Sequence, residues 1–404
     1  MSDAHSSAPS ETAIRFRLFG ATDVGQVREH NEDNFLIADL ATREREVFGS
    51  DRTVPSRGAV FGVCDGMGGA AAGEVASQLA VDIIFERLGS DPPATQRDEL
   101  ARRLVEAVEQ AGVRIFHNAR SDRARRGMGT TSTIGVLLDD RLFLAQVGDS
   151  RAYVYRGGAL VQVTRDQSLV NQLIEAGQLT EQEADSFEHN NIILQALGTA
   201  ETVQVDLTYV DLRRGDTLMM CSDGLSGMVK ADEIKNVLAA HSDPMQAAQA
   251  LIERANKAGG HDNITVIIVK FDGAGLSDPN AADPPLAYRK YQLPERERRR
   301  DTARPGVMGP TSSSPGSALG PTAPGGIPIV TPHPDSRGLK VGHTMIGAMS
   351  PVADLMRQAA SADAPSAADP ADSLPMVGWA PAAVGAVVVG ALVLIASLGF
   401  WLLR

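Results

Sequence analysis

Apolar and polar residues alternate along the chain with two periods, one typical of strands and one typical of helices. Residues 14–18 alternate between apolar and basic side chains, as in a half-buried strand, and residues 34–40 continue this β character. The continuous apolar run 59–64 predicts a strand that is buried on both faces. Two amphipathic helices are then predicted, with apolar stripes at Val75, Leu79 and Ile83 and at Leu100, Leu104, Val108, Ala111 and Ile115.

Four short strand-like segments follow, at 131–138, 141–147, 151–155 and 160–164. Turn-forming residues separate them, namely Asp139-Asp140, Gly148-Asp149-Ser150 and Gly157-Gly158, so this region is predicted to be a β-meander. Further strands are expected at 217–221 and 264–271, and helices at about 169–176, 232–240 and 244–257. Thr180 and Glu183 have the spacing of a capping box, which predicts one more short helix.

The two ends of the chain differ from this central region. Residues 1–12 are predicted to be a disordered arm, and residues 274–375, rich in Pro, Gly, Ser and Ala, a flexible linker. Residues 376–403 contain no charged side chain and are long enough to cross about 30 Å of hydrocarbon. Trp379 and Trp401 would lie near its two interfaces. These features predict a folded domain at 13–273 and one C-terminal transmembrane helix.

The net charge and the cysteine content exclude some classes of function for this protein. The formal net charge is −12, which argues against nucleic acid as a partner, because a phosphate backbone is bound by clustered Lys and Arg. The two cysteines, Cys64 and Cys221, lie in apolar runs and provide neither a disulfide framework nor a zinc cluster. An acidic chain of this kind remains able to bind divalent cations.

Acidic residues recur where predicted strands end or begin. Asp65, Asp149, Asp223 and Asp262 occupy such positions, and Glu32 and Asp33 follow Arg28 closely. Each Asp-Gly or Asp-Asn pair alone is typical of a turn. Several carboxylates together repel one another unless a cation neutralises them, and hard oxygen ligands without His or Cys favour Mg²⁺ or Mn²⁺.

Six ordered motifs carry a resemblance to the metal-dependent type 2C serine/threonine protein phosphatase family, over about residues 13–272. They are Arg28-Glu-His-Asn31-Glu32-Asp33, Val63-Cys-Asp65-Gly66-Met67-Gly68-Gly69, Gly127-Met-Gly129-Thr130-Thr131, Gly148-Asp149-Ser150-Arg151, Ser222-Asp223-Gly224 and Asp262-Asn263. Methionine after the Asp-Gly pair resembles the bacterial branch. The resemblance implies an α+β fold, a four-layer α-β-β-α sandwich of two antiparallel sheets flanked by helices.

The resemblance also implies roles for individual residues. Asp65 resembles the carboxylate that bridges two Mn²⁺ or Mg²⁺ ions, Gly66 the residue whose carbonyl binds one of them, and Asp223 and Asp262 further ligands of that first metal. Glu32 and Asp33 resemble residues that hold water on the metals, and Asp149 the ligand of a third, weaker metal. Arg28 resembles the clamp on the substrate phosphate, where a guanidinium fork suits phosphoryl oxygens.

The implied activity is hydrolysis of phosphoserine and phosphothreonine in proteins by a metal-activated water, which reverses serine/threonine kinase signalling. Kinases are therefore expected among the phosphoprotein substrates. Two departures from the family pattern stand out. Met67 replaces a histidine that is a candidate general acid outside the bacterial branch, and methionine cannot donate a proton. Asp166-Gln167 stands where Asp-His is usual, at the start of a flap expected at about 167–198.

Two other interpretations of the sequence compete with that of a phosphatase. The segment Gly66-Met-Gly68-Gly-Ala-Ala71 fits a dinucleotide-binding fingerprint, but that fold needs a βαβ unit and here a second helix is predicted instead of a strand. A phosphatase-like fold that acts as a membrane-tethered sensor or scaffold without turnover is the other alternative.

The two ends of the sequence predict where the protein is located in the cell. Residues 1–12 have neither a basic start nor an apolar stretch, so no signal peptide is expected, and we predict a single-pass protein of the cell membrane with a cytoplasmic catalytic domain. A strict positive-inside count points the other way. Arg404 is the one basic residue beyond the helix, whereas Asp363, Asp369 and Asp372 precede it.

Overall fold

The computed structural model describes residues 13–45, 52–53, 58–68, 72–184, 187, 189, 191–294 and 345–346. The predicted N-terminal arm, most of the predicted linker and the predicted transmembrane helix lie outside these residues. Among the helices that are described, none combines the length and the apolar character needed to cross a bilayer.

Strands and helices alternate along the described chain. The strands are β1 (Arg15–Asp23), β2 (Asp33–Asp39), β3 (Glu44–Arg45), β4 (Arg52–Thr53), β5 (Ala59–Met67), β6 (Gly129–Thr130), β7 (Ser132–Leu138), β8 (Arg141–Val147), β9 (Arg151–Arg156), β10 (Ala159–Gln162), β11 (Ile192–Ile193), β12 (Asp206–Asp211), β13 (Thr217–Cys221), β14 (Ile264–Asp272) and β15 (Met345–Ile346). The helices are α1 (Ala72–Leu88), α2 (Arg97–Ser121), α3 (Leu169–Glu175), α4 (Glu181–Ala184), α5 (Asp223–Ser226), α6 (Ala231–Ala240) and α7 (Pro244–Lys257), with a 3₁₀ helix at Arg123–Arg125.

Two antiparallel sheets form the centre of the fold. The first has the strand order β10-β9-β13-β14-β1-β4, and the second β12-β8-β7-β5-β2-β3, with β6 paired to β5. Apolar side chains from both sheets, such as Phe61, Leu144 and Val269, pack together between them. Helices α1 and α2 cover the second sheet, and α6 and α7 cover the first. The predicted α-β-β-α sandwich is confirmed in these layers.

Strand β5 has antiparallel partners on both sides, β2 and β7. A dinucleotide-binding βαβ unit needs a parallel strand after the crossover helix, and α1 is instead followed by α2. The glycines after Asp65 therefore do not belong to that fold.

The four strands predicted as one meander are divided between the two sheets. β7 and β8 pair in the second sheet, whereas β9 and β10 pair in the first. The chain crosses from one sheet to the other at Gly148-Asp149-Ser150, where Gly148 has φ +102°. This crossing places Asp149 between the sheets.

Helix α1 buries a different stripe from the predicted one. Val75, Leu79 and Ile83 are only half-buried, whereas Ala76, Ala80 and Ile84 are fully buried. The helix is apolar around most of its circumference and lies between the sheet and α2, so its small alanines allow close packing. The stripe predicted for α2 is confirmed, since all five of its residues are buried.

Residues 274–294, which composition places in the linker, pack against the domain. Leu276 is 1% exposed and belongs to the core between the sheets. Tyr291 donates its backbone N–H to the Leu207 carbonyl at 2.8 Å, and its ring packs edge-on against Phe143. Arg213 binds Asp283 through two hydrogen bonds of 2.8 and 2.9 Å. Residues 274–294 therefore contact both the core between the sheets and the second sheet.

Candidate metal centre

The carboxylates predicted from sequence converge at one end of the two sheets. Asp33 on β2 stands directly opposite Asp65 on the neighbouring strand β5. From the other sheet, Asp223 begins α5 immediately after β13, and Asp262 lies two residues before β14, the strand paired with β13. Asp149, at the crossing between the sheets, completes the group.

Asp33 is the most enclosed member, with 5% of its surface exposed. Ser222 and Thr265 each donate a hydroxyl hydrogen bond of 2.7 Å to its Oδ2. Burial raises the pKa of Asp33 to about 8, the charges of Asp223 and Asp262 add to this, and the two hydroxyl groups oppose it. A carboxyl in this position retains its proton at neutral pH unless a cation displaces it.

The pKa values of Asp65, Asp149 and Asp223 are shifted in the same direction. Desolvation, followed by repulsion from Asp33 and Asp223, raises the pKa of Asp65 well above its ordinary value. Desolvation and the Asp262 charge raise the pKa of Asp223 to about 6, and a hydrogen bond with Asp65 lowers it. Desolvation and Asp223 raise the pKa of Asp149. Such mutual repulsion is what a divalent cation relieves.

Two buried carboxylate oxygens lack the hydrogen-bond partner that a buried oxygen normally has among the described residues. Asp149 Oδ1 and Asp223 Oδ1 are enclosed and have no hydrogen-bond partner among the described residues. Unpaired buried oxygens of this kind, in an all-oxygen donor set, fit Mg²⁺ or Mn²⁺. In the part of the chain that the structure describes, no three acidic, histidine or cysteine side chains already meet at ligand distance. The carboxylates are thus gathered at one place but do not yet stand at ligand distance from a common point.

Glycine at position 66 permits the close approach of three backbone segments. Its N–H donates to the Glu32 carbonyl at 3.1 Å. A Cβ at Gly66 would lie 2.3 Å from the Gly73 carbonyl oxygen and 2.4 Å from that of Glu32, and a Cβ at Gly73 would lie 2.7 Å from Glu32 Cδ. The two glycines therefore allow β5, α1 and the Glu32 loop to meet beside Asp65.

Arg28 lies at the mouth of the carboxylate group. Its Nη2 is 2.7 Å from Asp262 Oδ2, and both side chains remain partly exposed. The loop that carries it is held by Asn263, whose Oδ1 accepts the Glu32 N–H at 2.8 Å and whose Nδ2 donates to the Val24 and His30 carbonyls. Arg28 is therefore fixed near the carboxylates and can reach an anion at the entrance.

The two departures from the family pattern have structural roles. Met67 is buried and packs against Ile193 and Ala196 in the flap, the segment 167–198 that contains α3, α4 and β11. Gln167 accepts the Gly148 N–H through its Oε1 and donates its backbone N–H to the Gly148 carbonyl, both at 2.9 Å. Gln167 thus ties the start of the flap to the residue before Asp149.

Several residues of the site had no predicted role. Thr131 accepts the Asp65 N–H at its Oγ1 and donates its own N–H to the Asp65 carbonyl, which fixes both ends of that residue. Thr130 Oγ1 donates to the same carbonyl at 2.8 Å. Thr130, Thr131 and Ser222 occur inside quoted motifs. Thr265 had only one signal, a polar residue within the apolar run 264–269.

Comparisons with known proteins agree with this geometry. A family model described as protein phosphatase 2C matches residues 50–265. The serine/threonine phosphatase stp of Listeria monocytogenes is 35% identical over 251 residues, which cover 62% of this chain and 94% of that protein. The crystal structure of the Mycobacterium tuberculosis serine/threonine phosphatase PstP/Ppp has a TM-score of 0.55 and 33% identity, over 64% of this chain and 99% of that one.

A second solved structure bears on the metal. The catalytic domain of serine threonine protein phosphatase PstP, in complex with two manganese ions, has a TM-score of 0.53 and 34% identity over 64% of this chain and 99% of that chain.

Proposed function

The chain belongs to the protein phosphatase 2C family and is a metal-dependent serine/threonine protein phosphatase, and from this premise we propose which of its residues perform the reaction. Asp65, Asp223 and Asp262 are the principal metal ligands, together with the Gly66 carbonyl. Glu32 and Asp33 act on the metals through water, and Asp149 serves a third, weaker metal position. Arg28 binds the substrate phosphate.

One observation carries this assignment. Asp33, Asp65, Asp149 and Asp223 lie together with raised pKa values, and two of their buried oxygens lack partners among the described residues. Divalent ions supply Lewis-acid activation of water and neutralise phosphoryl charge at such a site. No cysteine nucleophile is available, since burial raises the pKa of Cys64 and of Cys221 to about 12 and keeps both thiols protonated.

The side chains around the carboxylates determine how the substrate is held. Arg28 exchanges its bond to Asp262 for one to the phosphoryl group, because a guanidinium can donate to two oxygens of that group at once. Met67 excludes water beside Asp65 through its packing under the flap, and it holds no proton to transfer.

The experiment is manganese-dependent hydrolysis of a phosphothreonine peptide by the full chain. Asp65→Asn and Asp223→Asn should each lower kcat by at least about 100-fold. Asp232→Asn, at an exposed helix start that pairs only with Lys235 among the described residues, is the matched control and should keep full activity. Full activity of Asp65→Asn would overturn the assignment.

The same experiment tests the alternative function, in which the protein is a scaffold that binds phosphoproteins without turnover. A pure, manganese-loaded chain that binds the phosphopeptide but releases no phosphate would favour that alternative.

Membrane attachment and kinase partners complete the proposal. The uncharged run 376–403, with Trp379 and Trp401 near its ends, supports a membrane anchor, and these residues lie outside the described structure. Serine/threonine kinases fit as substrates because their regulation places phosphate on exposed segments. We place the catalytic domain in the cytoplasm, where kinases and their products meet. A protease added to intact cells should leave it uncut and should cut it after the cells are opened.

A further inference from the structure

A cavity of about 570 Å³ opens beside the flap, away from the carboxylates described above. It is lined at one side by the end of α2, with Phe116 and Arg120, and at another by Arg126 and Gly127. Gly198, the last residue of the flap, and Thr199, which follows it, complete the lining. This is the place where the flap rejoins the body of the domain.

Two arginines in this lining have no acidic partner among the described residues. Arg120 and Arg126 are exposed, and neither forms an ion pair with any residue that the structure describes. The nearest carboxylate in sequence, Asp122, is bound by Arg125 at 3.4 Å. Arg120 lies over the Phe116 ring, with its Cζ 5.4 Å from the ring centre, so its position is partly fixed. Both guanidinium groups can therefore donate hydrogen bonds to an anion in the cavity.

The cavity is connected to the metal centre through a short stretch of backbone. Thr130 and Leu197 exchange two backbone hydrogen bonds of 3.1 and 2.9 Å, one residue before Gly198. Thr130 also donates its hydroxyl to the Asp65 carbonyl. Gly127 and Thr130 are three residues apart, so their Cα atoms are separated by at most about 10 Å. Because Thr130 contacts Asp65 directly, the cavity lies within roughly 15 Å of Asp65. An extended peptide covers that distance in about three to five residues.

We propose that this cavity, the Arg120/Arg126 pocket, binds a second phosphate group on the same phosphoprotein substrate, three to five residues from the phosphate that is hydrolysed. The inference rests on the proposed function and extends it to substrate selection. Segments that carry two nearby phosphates are then preferred over singly phosphorylated ones.

Phosphate suits the pocket better than a carboxylate does. Two guanidinium groups offer several N–H donors, and a phosphate monoester has three acceptor oxygens and a charge near −2, against two oxygens and −1 for a carboxylate. The volume is also more than a carboxylate side chain would fill. The Phe116 ring, over which Arg120 lies, adds an apolar part to the lining.

The test uses the full chain with manganese and a series of peptides that contain one hydrolysable phosphothreonine. A difluoromethylene phosphonate, which resists hydrolysis, is placed two to seven residues away on either side. Matched peptides carry glutamate or threonine at that place. We expect KM to fall about tenfold for the phosphonate at a spacing of three to five residues on one side, with little change in kcat.

The variant Arg120→Gln/Arg126→Gln should lose this advantage and keep wild-type kinetics on the singly phosphorylated peptide. Arg123→Gln is the matched control, because Arg123 is an equally exposed arginine on the adjoining 3₁₀ helix that does not line the cavity. It should retain the full advantage.

Three results would overturn the proposal: an advantage that survives in the double variant, an equal loss in the Arg123→Gln control, or an equal advantage from glutamate. Calorimetric binding of the phosphonate peptide to the full chain separates this inference from the proposed function. Spacing-dependent binding that needs Arg120 and Arg126 supports the pocket even where no phosphate is released.

Discussion

Thr265 provides a direct test of how the protein tunes its metal affinity. Its Oγ1 donates a hydrogen bond of 2.7 Å to Asp33 Oδ2 from the adjacent sheet. Thr265→Val keeps the shape of the side chain and removes the donor, while the second donor, Ser222, remains. The change therefore removes one hydrogen bond to a carboxylate that must be ionised when a cation binds nearby, together with the hydroxyl contact of 2.7 Å between Thr265 and Thr22.

The magnitude follows from the geometry. A hydrogen bond to a charged group contributes about 1.5–3 kcal/mol, and about 1.4 kcal/mol corresponds to one pKa unit. The pKa of Asp33 is already about 8, so the loss of this donor raises it by a further one to two units. Since manganese then competes with a more tightly held proton, the half-saturating Mn²⁺ concentration at pH 7 should increase about 10- to 100-fold.

The assay is phosphopeptide hydrolysis across a manganese titration at pH 7 and pH 9. The difference between Thr265→Val and wild type should shrink at pH 9, where wild-type Asp33 is ionised without metal. Thr265→Ser retains the hydroxyl and is the matched control. Equal manganese curves for wild type and Thr265→Val, or an equal shift in Thr265→Ser, would refute the reasoning, provided that thermal unfolding shows all three proteins folded.

Three further predictions concern stability and close packing. The first uses protein from which a chelator has removed the metal. The pKa of Asp33 is about 8 in the folded state against the ordinary 3.8, so the folded state binds this proton more tightly than the unfolded state does. Tm should therefore fall as pH rises from 5 to 8, and a rising Tm would contradict this. Arg156→Met leaves the buried Asp216, bound by Arg156 at 2.6 Å, without its cation and should lower the free energy of unfolding in urea by about 3–5 kcal/mol; a change below about 1 kcal/mol would count against it. Gly66→Ala should abolish manganese-dependent turnover because the new Cβ would meet two backbone carbonyls. Gly112→Ala, whose Cβ would make only ordinary van der Waals contacts with neighbouring side chains, should remain active. An active Gly66→Ala protein would show that the backbone segments around Gly66 can move apart.

The sequence predicted most of the longer strands because period-two patterns and turn residues are local signals, but it missed β12. It did not predict that the meander divides at Gly148, because the pattern of a strand does not say which sheet receives it. For the same reason, Asp149 could be placed at a strand end but not between the sheets. The α1 stripe was wrong because a helix that packs on two sides lacks a single apolar face.

The carboxylates of the site were predictable since they stand at strand ends, where several motifs recur. Their supporting residues were harder to find. Thr265 and Thr131 act through hydrogen bonds to residues far away in sequence, Asp33 and Asp65, and no local pattern reports such a pairing. Residues 274–294 look like linker by composition, yet isolated apolar side chains such as Leu276 hold them in place.

The division of the carboxylates between the two sheets has a mechanical consequence. Asp33 and Asp65 belong to one sheet, and Asp223 and Asp262 flank strands of the other. With the cations removed, those of the carboxyls that ionise repel one another across the boundary between the sheets at one end. A cation that binds carboxylates from both sides becomes a reversible cross-link at that end, and its binding free energy adds to the cohesion of the sandwich. The supply of manganese or magnesium would thereby set how long each molecule remains folded, as well as how fast it works.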